Sequence, residues 1–545
     1  MTSKDNNSYN DYRPTADNET TWPVADTSRT QDSVDNYAPL STLSQLSTAA
    51  NNETSRSAVS MEVSPSMAVD DVSIYSVRTN LKRNLILAAV SLTAFLLPFC
   101  DTVYLPALNA IQKEFNTTQT LVAVSVSIYL FMNGVFSLLW GPMSDRLGRK
   151  IALITLLSIF VAVSLICIFA PNIAVFIVFR ALQGATVSGT LVIGQGVVAD
   201  IYPAKNRGSA TGIFFVPVLI GPIVGPLIGG ALAEAFNWRS TFIFLTLLSF
   251  IILMIIVFLV PETHQYFVKE RFHRANPNKR ITDAEPNEKP TFKAPWKPLI
   301  FLTDLSILPY IIVATTTFTG LFISLTLFSN YLHEDPYNYS ETIIGVLFVP
   351  TGVIMLIGSL LGGWLSDKSS LHYRDEICPE GRIVPAMAFS ILTPIGLIIY
   401  GWTFHYKTYL AGPIISQVVL GFGQSVLQPG VYAYLTAKKQ KEAAAASAAN
   451  TVLNFCGAGI GVTVAVPIQD AIGRGPFFSI ICGINVVAIV VASILLFKRI
   501  RGIKQITVQT KDIALGVATT DDNMSAYTNG HATVGDHHPD DQTAL

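Results

Sequence analysis

The sequence contains little charge and little cysteine for its length. Asp, Glu, Lys and Arg make up only 13% of its 545 residues, and the formal net charge is −1. A soluble protein carries about 25% of these residues. The nearly zero net charge does not indicate whether the protein binds nucleic acid, but the sequence has no basic stripe that would bind nucleic acid. The five cysteines are scattered without a C-x-x-C pair, which favours small buried thiols over a metal site or disulfides.

The sequence also lacks the short motifs that carry common enzyme chemistry. We find no phosphate-binding glycine loop, no H-E-x-x-H zinc motif and no nucleophile elbow. His537 and His538 lie among aspartates, but two histidines in a polar tail are more often exposed to solvent than bound to a metal. We therefore expect neither an enzyme nor a metal site, and no bound cofactor.

Long apolar runs are what the sequence does contain. Half of its residues are apolar, and the mean hydropathy is +0.45. Twelve runs of about 20 residues are long enough to cross a bilayer as helices. These predicted spans cover residues 84–108, 121–143, 150–170, 173–199, 208–234, 240–260, 304–332, 341–366, 383–403, 408–436, 443–470 and 475–497.

Polar stretches divide these spans into two sets of six. We expect a disordered cytoplasmic tail at 1–77, a first six-helix bundle at 78–260, a cytoplasmic linker at 261–300, a second bundle at 301–502 and a disordered cytoplasmic tail at 503–545. The predicted fold class is therefore an all-α polytopic membrane protein, with twelve transmembrane helices in two pseudo-symmetric six-helix bundles.

Lys and Arg residues set the predicted orientation. The loop Trp140–Lys150 carries three basic residues between two spans, and most other loop lysines and arginines fall on the same side of the membrane. The opposite side has only Lys113, Arg239, Lys407 and Arg474. Because positive residues concentrate on the cytoplasmic side, both termini should be cytoplasmic.

The loop Trp140–Lys150 has a partial echo in the second half. Gly363–Lys368 repeats a Gly, a Ser, an Asp and a basic residue with the same internal spacing. Two copies of one loop, one in each half, indicate a duplicated membrane bundle.

Asp101 and Arg180 are the clearest candidates for function at membrane depth. Buried ions in a membrane are costly and usually mark a transport pathway. A carboxyl in apolar surroundings beside an arginine can bind and release a proton, which makes Asp101 a candidate proton carrier. The alternatives are a structural Asp bonded to backbone or to Thr102, and a permanent Asp–Arg pair.

Span five combines regularly spaced glycines with prolines. Gly221, Gly225 and Gly229 recur every four residues and give a smooth face for close helix packing. Pro222 and Pro226, with Pro217 before them, bend the helix and free backbone carbonyls. Packing alone explains the glycines, whereas the prolines in addition favour a pliable helix at a moving interface.

Two further groups of residues complete the candidates. Amide side chains within spans could line a substrate cavity or hydrogen-bond between helices. These are Gln183, Gln195, Gln417, Gln424, Asn450 and Asn454. Asn116 and Asn338 lie in glycan acceptor tripeptides on the predicted outer side, although such tripeptides are common by chance.

Several of these stretches resemble a known family. The loop Gly141–Lys150 resembles the signature loop of the major facilitator superfamily. Phe179–Gly184, Gly221–Gly230 and Asp101–Leu108 resemble motifs of its twelve-span drug:proton antiporter branch. The long tails and the run Ala199–Pro203 are most like fungal plasma-membrane members, which export drugs, polyamines and organic acids.

The resemblance implies alternating access of two bundles around one central site. It also implies a gating cluster in which Asp145 and Arg149 pair with Asp200 at the cytoplasmic end of span four, within a loop that includes Gly141 and Arg146. Such a latch would stabilise one access state and break in each cycle. Gly230 completes the antiporter motif of span five. The second-half loop departs from the family pattern after Lys368.

The sequence thus predicts a proton-coupled exporter of small organic molecules in the plasma membrane. Asp101 would carry the proton, Arg180 would tune it, and a proton gradient would take the place of a cofactor. The expected partners are a small-molecule substrate, protons and lipid, for a chain that works as a monomer. An uptake carrier or facilitator of the same fold, and a receptor that signals without transport, remain open. The resemblance ranks cationic or neutral drugs slightly above organic acids.

Overall fold

The computed structural model of the protein describes residues 70–277, 279–281, 289, 291–292, 294–373 and 378–530, and most of these residues are helical. Helices α1 to α8 are Asn80–Thr102, Leu108–Glu114, Gln119–Leu147, Arg149–Ile168, Ile173–Ile201, Ala204–Ala235, Arg239–Leu259 and Gln265–Ala275. Helices α9 to α16 are Leu308–His333, Glu341–Leu347, Val349–Tyr373, Val384–Ser390, Leu392–His405, Ala411–Lys438, Ala443–Ile472 and Arg474–Gly530. Strands β1 (Asp70–Val72) and β2 (Lys279–Ile281) are short.

Eleven helical stretches in the described part of the chain are long and apolar enough to cross a membrane. Three of them join neighbouring helices: α1 with α2, α10 with α11, and α12 with α13. Helix α14 lies at the predicted tenth span, and its 28 residues correspond to a length of about 42 Å. Its three glutamines, Gln417, Gln424 and Gln428, lower its hydropathy, but it is long enough to cross.

Local signals in the sequence set several helix ends. The side chains of Thr118 and Asn172 accept hydrogen bonds from the backbone three residues on, at 3.4 and 2.9 Å, and cap the N-termini of α3 and α5. Gly148, with φ of +94°, ends α3 and starts α4. Such a φ suits glycine because it has no Cβ to clash.

The helices pack as two halves, α1–α7 and α9–α16. In the first half, α1 packs against α5, α6 and α7, and α3 packs against α5. In the second half, α14 packs against α11 and α13, and α9 packs against α15. Helix α3 meets α15, and α6 meets α10 and α11, across the interface between the halves.

The two halves touch through polar contacts on the side that we predict to be outer. The Ser329 hydroxyl donates to the carbonyl of Pro106 at 3.1 Å. The backbone N–H of Thr342 donates to a carboxylate oxygen of Glu234 at 2.8 Å. The second bond holds the ends of α6 and α10 together, beside the close approach of Gly230 to the carbonyl of Glu341, whereas the first joins α9 to the turn after α1.

The predicted tails and linker contain ordered elements. Strand β1 pairs in parallel with β2, and Ile74, Val268 and Ile281 pack together beside them. Part of the predicted N-terminal tail, residues 70–77, is therefore packed on the linker, because Ile74 buries its side chain there. Helix α16 runs past the predicted tail start at residue 503. Residues 1–69, together with His537 and His538, lie outside the described residues.

Candidate functional site

A cavity of about 270 Å³ lies between the two halves. Helices α1 and α6 line it from one half, and α9, α11, α14 and α15 line it from the other. Its aromatic lining includes Phe318, Phe322 and Phe455. The ring centroid of Phe318 lies 4.7 Å from that of Phe322 and 5.2 Å from that of Phe455. Among the described residues, Asp101 is the only lining side chain that carries a formal charge.

Asp101 lies near the end of α1, three residues after Pro98. Its side chain is buried, with 6% of its surface exposed, and it lines the cavity. The Thr102 hydroxyl donates to the carbonyl of Pro98 at 2.8 Å. Thr102 is thus engaged with its own helix, so it does not hold the Asp101 carboxyl as a structural partner. The groups near the carboxyl are Tyr129 and Arg180.

Arg180 is fully buried and held between two tyrosine rings. Its guanidinium carbon lies 4.0 Å from the ring centroid of Tyr104 and 4.0 Å from that of Tyr129. Cation–π contacts of this kind are worth about 2 kcal/mol or more when desolvated. One guanidinium nitrogen donates to Gln183 Oε1 at 2.5 Å. In the part of the chain that the structure describes, no ion pair joins Arg180 to Asp101.

Gln183, which we predicted to line the cavity, hydrogen-bonds to Arg180 instead. Its amide nitrogen donates to the hydroxyl of Ser164 at 2.8 Å while its oxygen accepts from Arg180. Both ends of the amide are therefore used within the first half. Gln183 orients Arg180 and does not line the cavity.

The span-five glycines pack α6 against the helix that carries Asp101. A Cβ added at Gly225 would lie 2.3 Å from the Thr102 hydroxyl, and one at Gly229 would lie 1.6 Å from the carbonyl of Val103. A Cβ at Gly221 would meet Pro98 at 2.8 Å. The glycines thus bring the two backbones together beside the carboxyl. Pro222 lines the cavity, and the carbonyl of Pro226 faces Gly345 of the second half.

A second ionic cluster lies at the other end of the first half. Arg149 pairs with Asp145 at 2.7 Å and with Asp200 at 2.9 Å, and it donates to the Ser144 hydroxyl at 2.5 Å. These residues come from the end of α3, the start of α4 and the end of α5. The structure therefore brings together the three charged residues that the family resemblance placed in one latch.

Glu262, just after α7, completes this cluster and was not singled out from the sequence. Its carboxylate accepts from the backbone N–H groups of Arg149 at 2.9 Å and Lys150 at 3.2 Å, which caps the N-terminus of α4. It also accepts from the N–H groups of Thr263 and His264, at 2.9 and 2.8 Å. Burial, aided by the charge of Arg149, lowers the pKa of His264 and keeps its ring neutral.

The end of the N-terminal segment is tied to the same carboxylate residue. Arg78 donates to the backbone carbonyl of Glu262 at 2.6 Å. A Cβ at Gly148 would lie 2.5 Å from a carboxylate oxygen of Glu262. The turn between α3 and α4 must therefore be glycine both for its backbone angle and for this close approach.

Comparison with known proteins agrees with this architecture. Residues 90–462 match the Major Facilitator Superfamily. The chain belongs to the Major Facilitator Superfamily.

Similar proteins in this superfamily include fungal transporters. The MFS antiporter QDR3 of Candida albicans is 24% identical over 77% of this chain and 78% of its own length. Citrate exporter 1 of Aspergillus niger is 28% identical over 73% of this chain and 82% of its own length. The structure of the xylose transporter XylE from E. coli covers 75% of this chain and 98% of its own, with a TM-score of 0.56 and 15% identity. The predicted family and the predicted fold are both confirmed.

The remaining loop residues of this superfamily member, Arg146 and Gly141, form no ion pair with the described residues of the ionic cluster. Arg146 is exposed, and no ion pair of Arg146 is found among the described residues. Gly141 packs near Val192, whose side chain would lie 3.6 Å from a Cβ at that glycine. Gly141 therefore contributes to helix packing between α3 and α5.

The second half has its own charged contacts at the corresponding end. Asp367 pairs with Arg382 at 3.3 Å, and Glu380, which is 1% exposed, pairs with Lys438 at 2.6 Å. The echo loop thus keeps an Asp–Arg pair although its sequence departs from the family pattern. Glu380 could not be recognised from the sequence, because its partner Lys438 lies on another helix.

The other predicted cavity residues divide into two groups. Gln424 and Asn454 line the cavity, and so does Gln428. Gln195 is exposed, while Gln417 and Asn450 are buried and are not part of this cavity's lining.

Both candidate glycan acceptors lie in exposed turns. Asn116 and Asn338 each have φ of +47° and lie on the predicted outer side. Asparagine tolerates this left-handed conformation better than most residues. Glycosylation stays a prediction for both.

Proposed function

We propose that this protein is a proton-coupled antiporter that exports small organic molecules by alternating access. The observation that carries this proposal is the cavity between the two halves, whose described lining includes a single carboxyl, Asp101. A buried carboxyl that is not locked in an ion pair can exchange a proton for a cationic group. The QDR3 relative, which is named as an antiporter, supports the same reading.

The cycle that we propose uses one carboxyl for both ligands. On the cytoplasmic side, Asp101 releases its proton and the substrate occupies the cavity. On the outer side, the substrate leaves and a proton returns to Asp101, which removes the charge before the empty carrier swings back. Arg180 is fixed by two tyrosine rings and Gln183, so it gives the carboxyl a constant neighbour through the cycle.

The glycine face of α6 and the ionic cluster around Arg149 have separate roles in this cycle. The glycine face of α6 seals the region around Asp101, because there is no room for a side chain between α1 and α6. The contacts of Arg149 and Glu262 named above all join residues of the first half or its adjoining segments. A rigid-body swing would leave these bonds intact, so we propose that the cluster stiffens the bundle and does not break in each cycle.

The cavity favours a cationic or neutral substrate over an organic acid. Its described lining holds one carboxylate and no lysine or arginine. An anion such as citrate would be repelled by Asp101 and would find no opposite charge. The relative named as a citrate exporter keeps the organic acid as the competing candidate.

Transport measurements separate these candidates. A deletion strain should accumulate a cationic dye or spermidine, and re-expression of the protein should lower that accumulation without changing citrate. Lower citrate in place of dye would favour the organic acid. Purified protein in vesicles with an imposed pH gradient then gives the direction. Substrate moving against the proton flow supports export by antiport, and substrate moving with it supports an uptake carrier.

The cellular setting belongs to the same proposal. We propose a plasma-membrane location from the likeness to fungal plasma-membrane members, and cytoplasmic termini from the placement of Lys and Arg residues. We propose a monomeric unit because the cavity lies within one chain. Lys150 and Lys113 should then react with an impermeant amine label from opposite faces of the membrane. A receptor would show no flux whether or not residues 1–77 are present.

A further inference from the structure

The cavity wall opposite Asp101 holds buried amide groups that have no partner. Gln424 on α14 is 2% exposed, and neither atom of its amide has a hydrogen-bond partner among the residues that the structure describes. The same holds for the amide oxygen of Gln428, one turn further along the helix. Leaving such groups unpaired in an apolar site is costly, which indicates that a ligand completes them.

Three other polar side chains on the cavity wall already have hydrogen-bond partners. Asn454 accepts from Thr315 at 3.0 Å, and Tyr432 bonds to Thr451 at 3.0 Å. The hydroxyl of Ser425 donates to the carbonyl of Phe422 at 3.0 Å. Among the described lining residues of the second half, these two glutamines are therefore the ones whose buried amide atoms lack a partner.

The arrangement of the wall gives the chemical class of that ligand. Asp101 offers one negative charge from the first half, and Gln424 offers a donor and an acceptor from the second half. The aromatic rings of Phe318, Phe322 and Phe455 line the same cavity and suit a flat apolar body. A volume of about 270 Å³ lies below the range of about 300–1,000 Å³ that holds drug-sized ligands, so the ligand is compact.

We propose that Gln424 and Gln428 form an amide subsite that selects compact aromatic amines carrying a neutral hydrogen-bonding group. The amine meets Asp101, the ring meets the phenylalanines, and the neutral group exchanges hydrogen bonds with Gln424. This proposal rests on the proposed function in one respect only, which is that the cavity is where the substrate binds.

Two matched amines test the subsite without any mutation. 4-(Aminomethyl)benzamide has an amine, a ring and a carboxamide, while 4-isopropylbenzylamine replaces the carboxamide with an apolar group of similar shape. Binding of each to the purified full-length protein in lipid nanodiscs is measured by calorimetry at one pH. We expect the carboxamide to bind about tenfold more tightly, because its apolar analogue leaves buried amide atoms unpaired. Equal binding, or no binding of either amine, overturns the proposal.

Variants then assign the preference to the named residues. Gln424→Met should bring the two affinities to within about twofold, since it keeps the shape but removes the amide. Gln417→Met is the matched control, because Gln417 is equally buried on the same helix but is not part of the cavity lining. Loss of the preference in the control, or its persistence in Gln424→Met, overturns the assignment. If the preference holds but a pH gradient moves neither amine, the subsite stands and the proposed antiport fails.

Discussion

Replacing Glu262 with alanine tests whether this residue holds together the ionic cluster around Arg149. Its carboxylate accepts four backbone N–H bonds, two of them at the start of α4. Loss of an N-cap costs about 0.5–2 kcal/mol, and each buried donor left unpaired adds about 1–3 kcal/mol. Because the site is only partly buried, water can reach some of these donors. We therefore expect a net loss of about 2–3 kcal/mol.

Thermal unfolding of the purified protein in nanodiscs measures this loss. For a chain of this size we expect the melting temperature of Glu262→Ala to fall by about 2–3 °C. Glu262→Gln should fall by less, since its amide oxygen still accepts hydrogen bonds but gives up the charge at the helix N-terminus.

The matched control is Glu270→Ala on α8. Glu270 pairs with Arg274 at 2.6 Å, but its side chain is 42% exposed. Exposed ion pairs contribute about 0–1 kcal/mol, so this variant should melt close to the wild type. The reasoning about the cap is refuted if Glu262→Ala and Glu270→Ala melt at the same temperature.

Three further predictions concern packing and charge. Gly225→Ala should abolish transport, because its Cβ would lie 2.3 Å from the hydroxyl oxygen of Thr102 on α1. Gly212→Ala on the same helix has open space around its Cβ and should transport normally. Normal flux in both variants would contradict the packing argument. Arg180→Lys should lower the melting temperature although the charge is kept, since lysine loses the stacked, planar contacts, and an unchanged melting curve would exclude that role. Burial would raise the pKa of the Asp304 carboxyl. Hydrogen bonds, of which the one from Lys439 is the strongest, lower that pKa to about 2 instead. After solvent screening, the Asp304–Lys439 pair therefore contributes about 1 kcal/mol to the free energy of unfolding. That contribution is complete above pH ~4 and is lost as the pH falls towards 2. Unfolding of the wild type and of Asp304→Asn at several pH values measures this loss. The same pH dependence of stability in both proteins would contradict it.

The positions of the helices could largely be predicted from the sequence. Apolar runs of bilayer length are a local signal, and they placed most of the helices within a few residues, whereas α16 runs to Gly530, well past its predicted end. The glycines of span five could be assigned to close packing because their spacing puts them on one helix face. Their partner, the α1 segment beside Asp101, required the three-dimensional structure.

Which side of each helix faces the cavity could not be predicted in the same way. A membrane helix is apolar towards lipid and towards protein, so its sequence has no strong periodic pattern to show which side faces the cavity. For this reason Gln183 and Gln424 were equivalent candidates, although one orients Arg180 and the other lines the cavity. Glu262 was missed because its partners lie more than a hundred residues away along the chain.

The most direct test of the account is the proton coupling of Asp101→Asn. Wild-type and variant protein are placed in vesicles that contain a pH-sensitive dye, and 4-(aminomethyl)benzamide flux is measured with and without an imposed pH gradient. We predict that the wild type moves protons opposite to the amine, whereas the variant keeps its fold and gives no proton movement and no gradient-driven amine flux. Gradient-driven exchange at the wild-type rate in Asp101→Asn would show that this carboxyl is not the proton carrier.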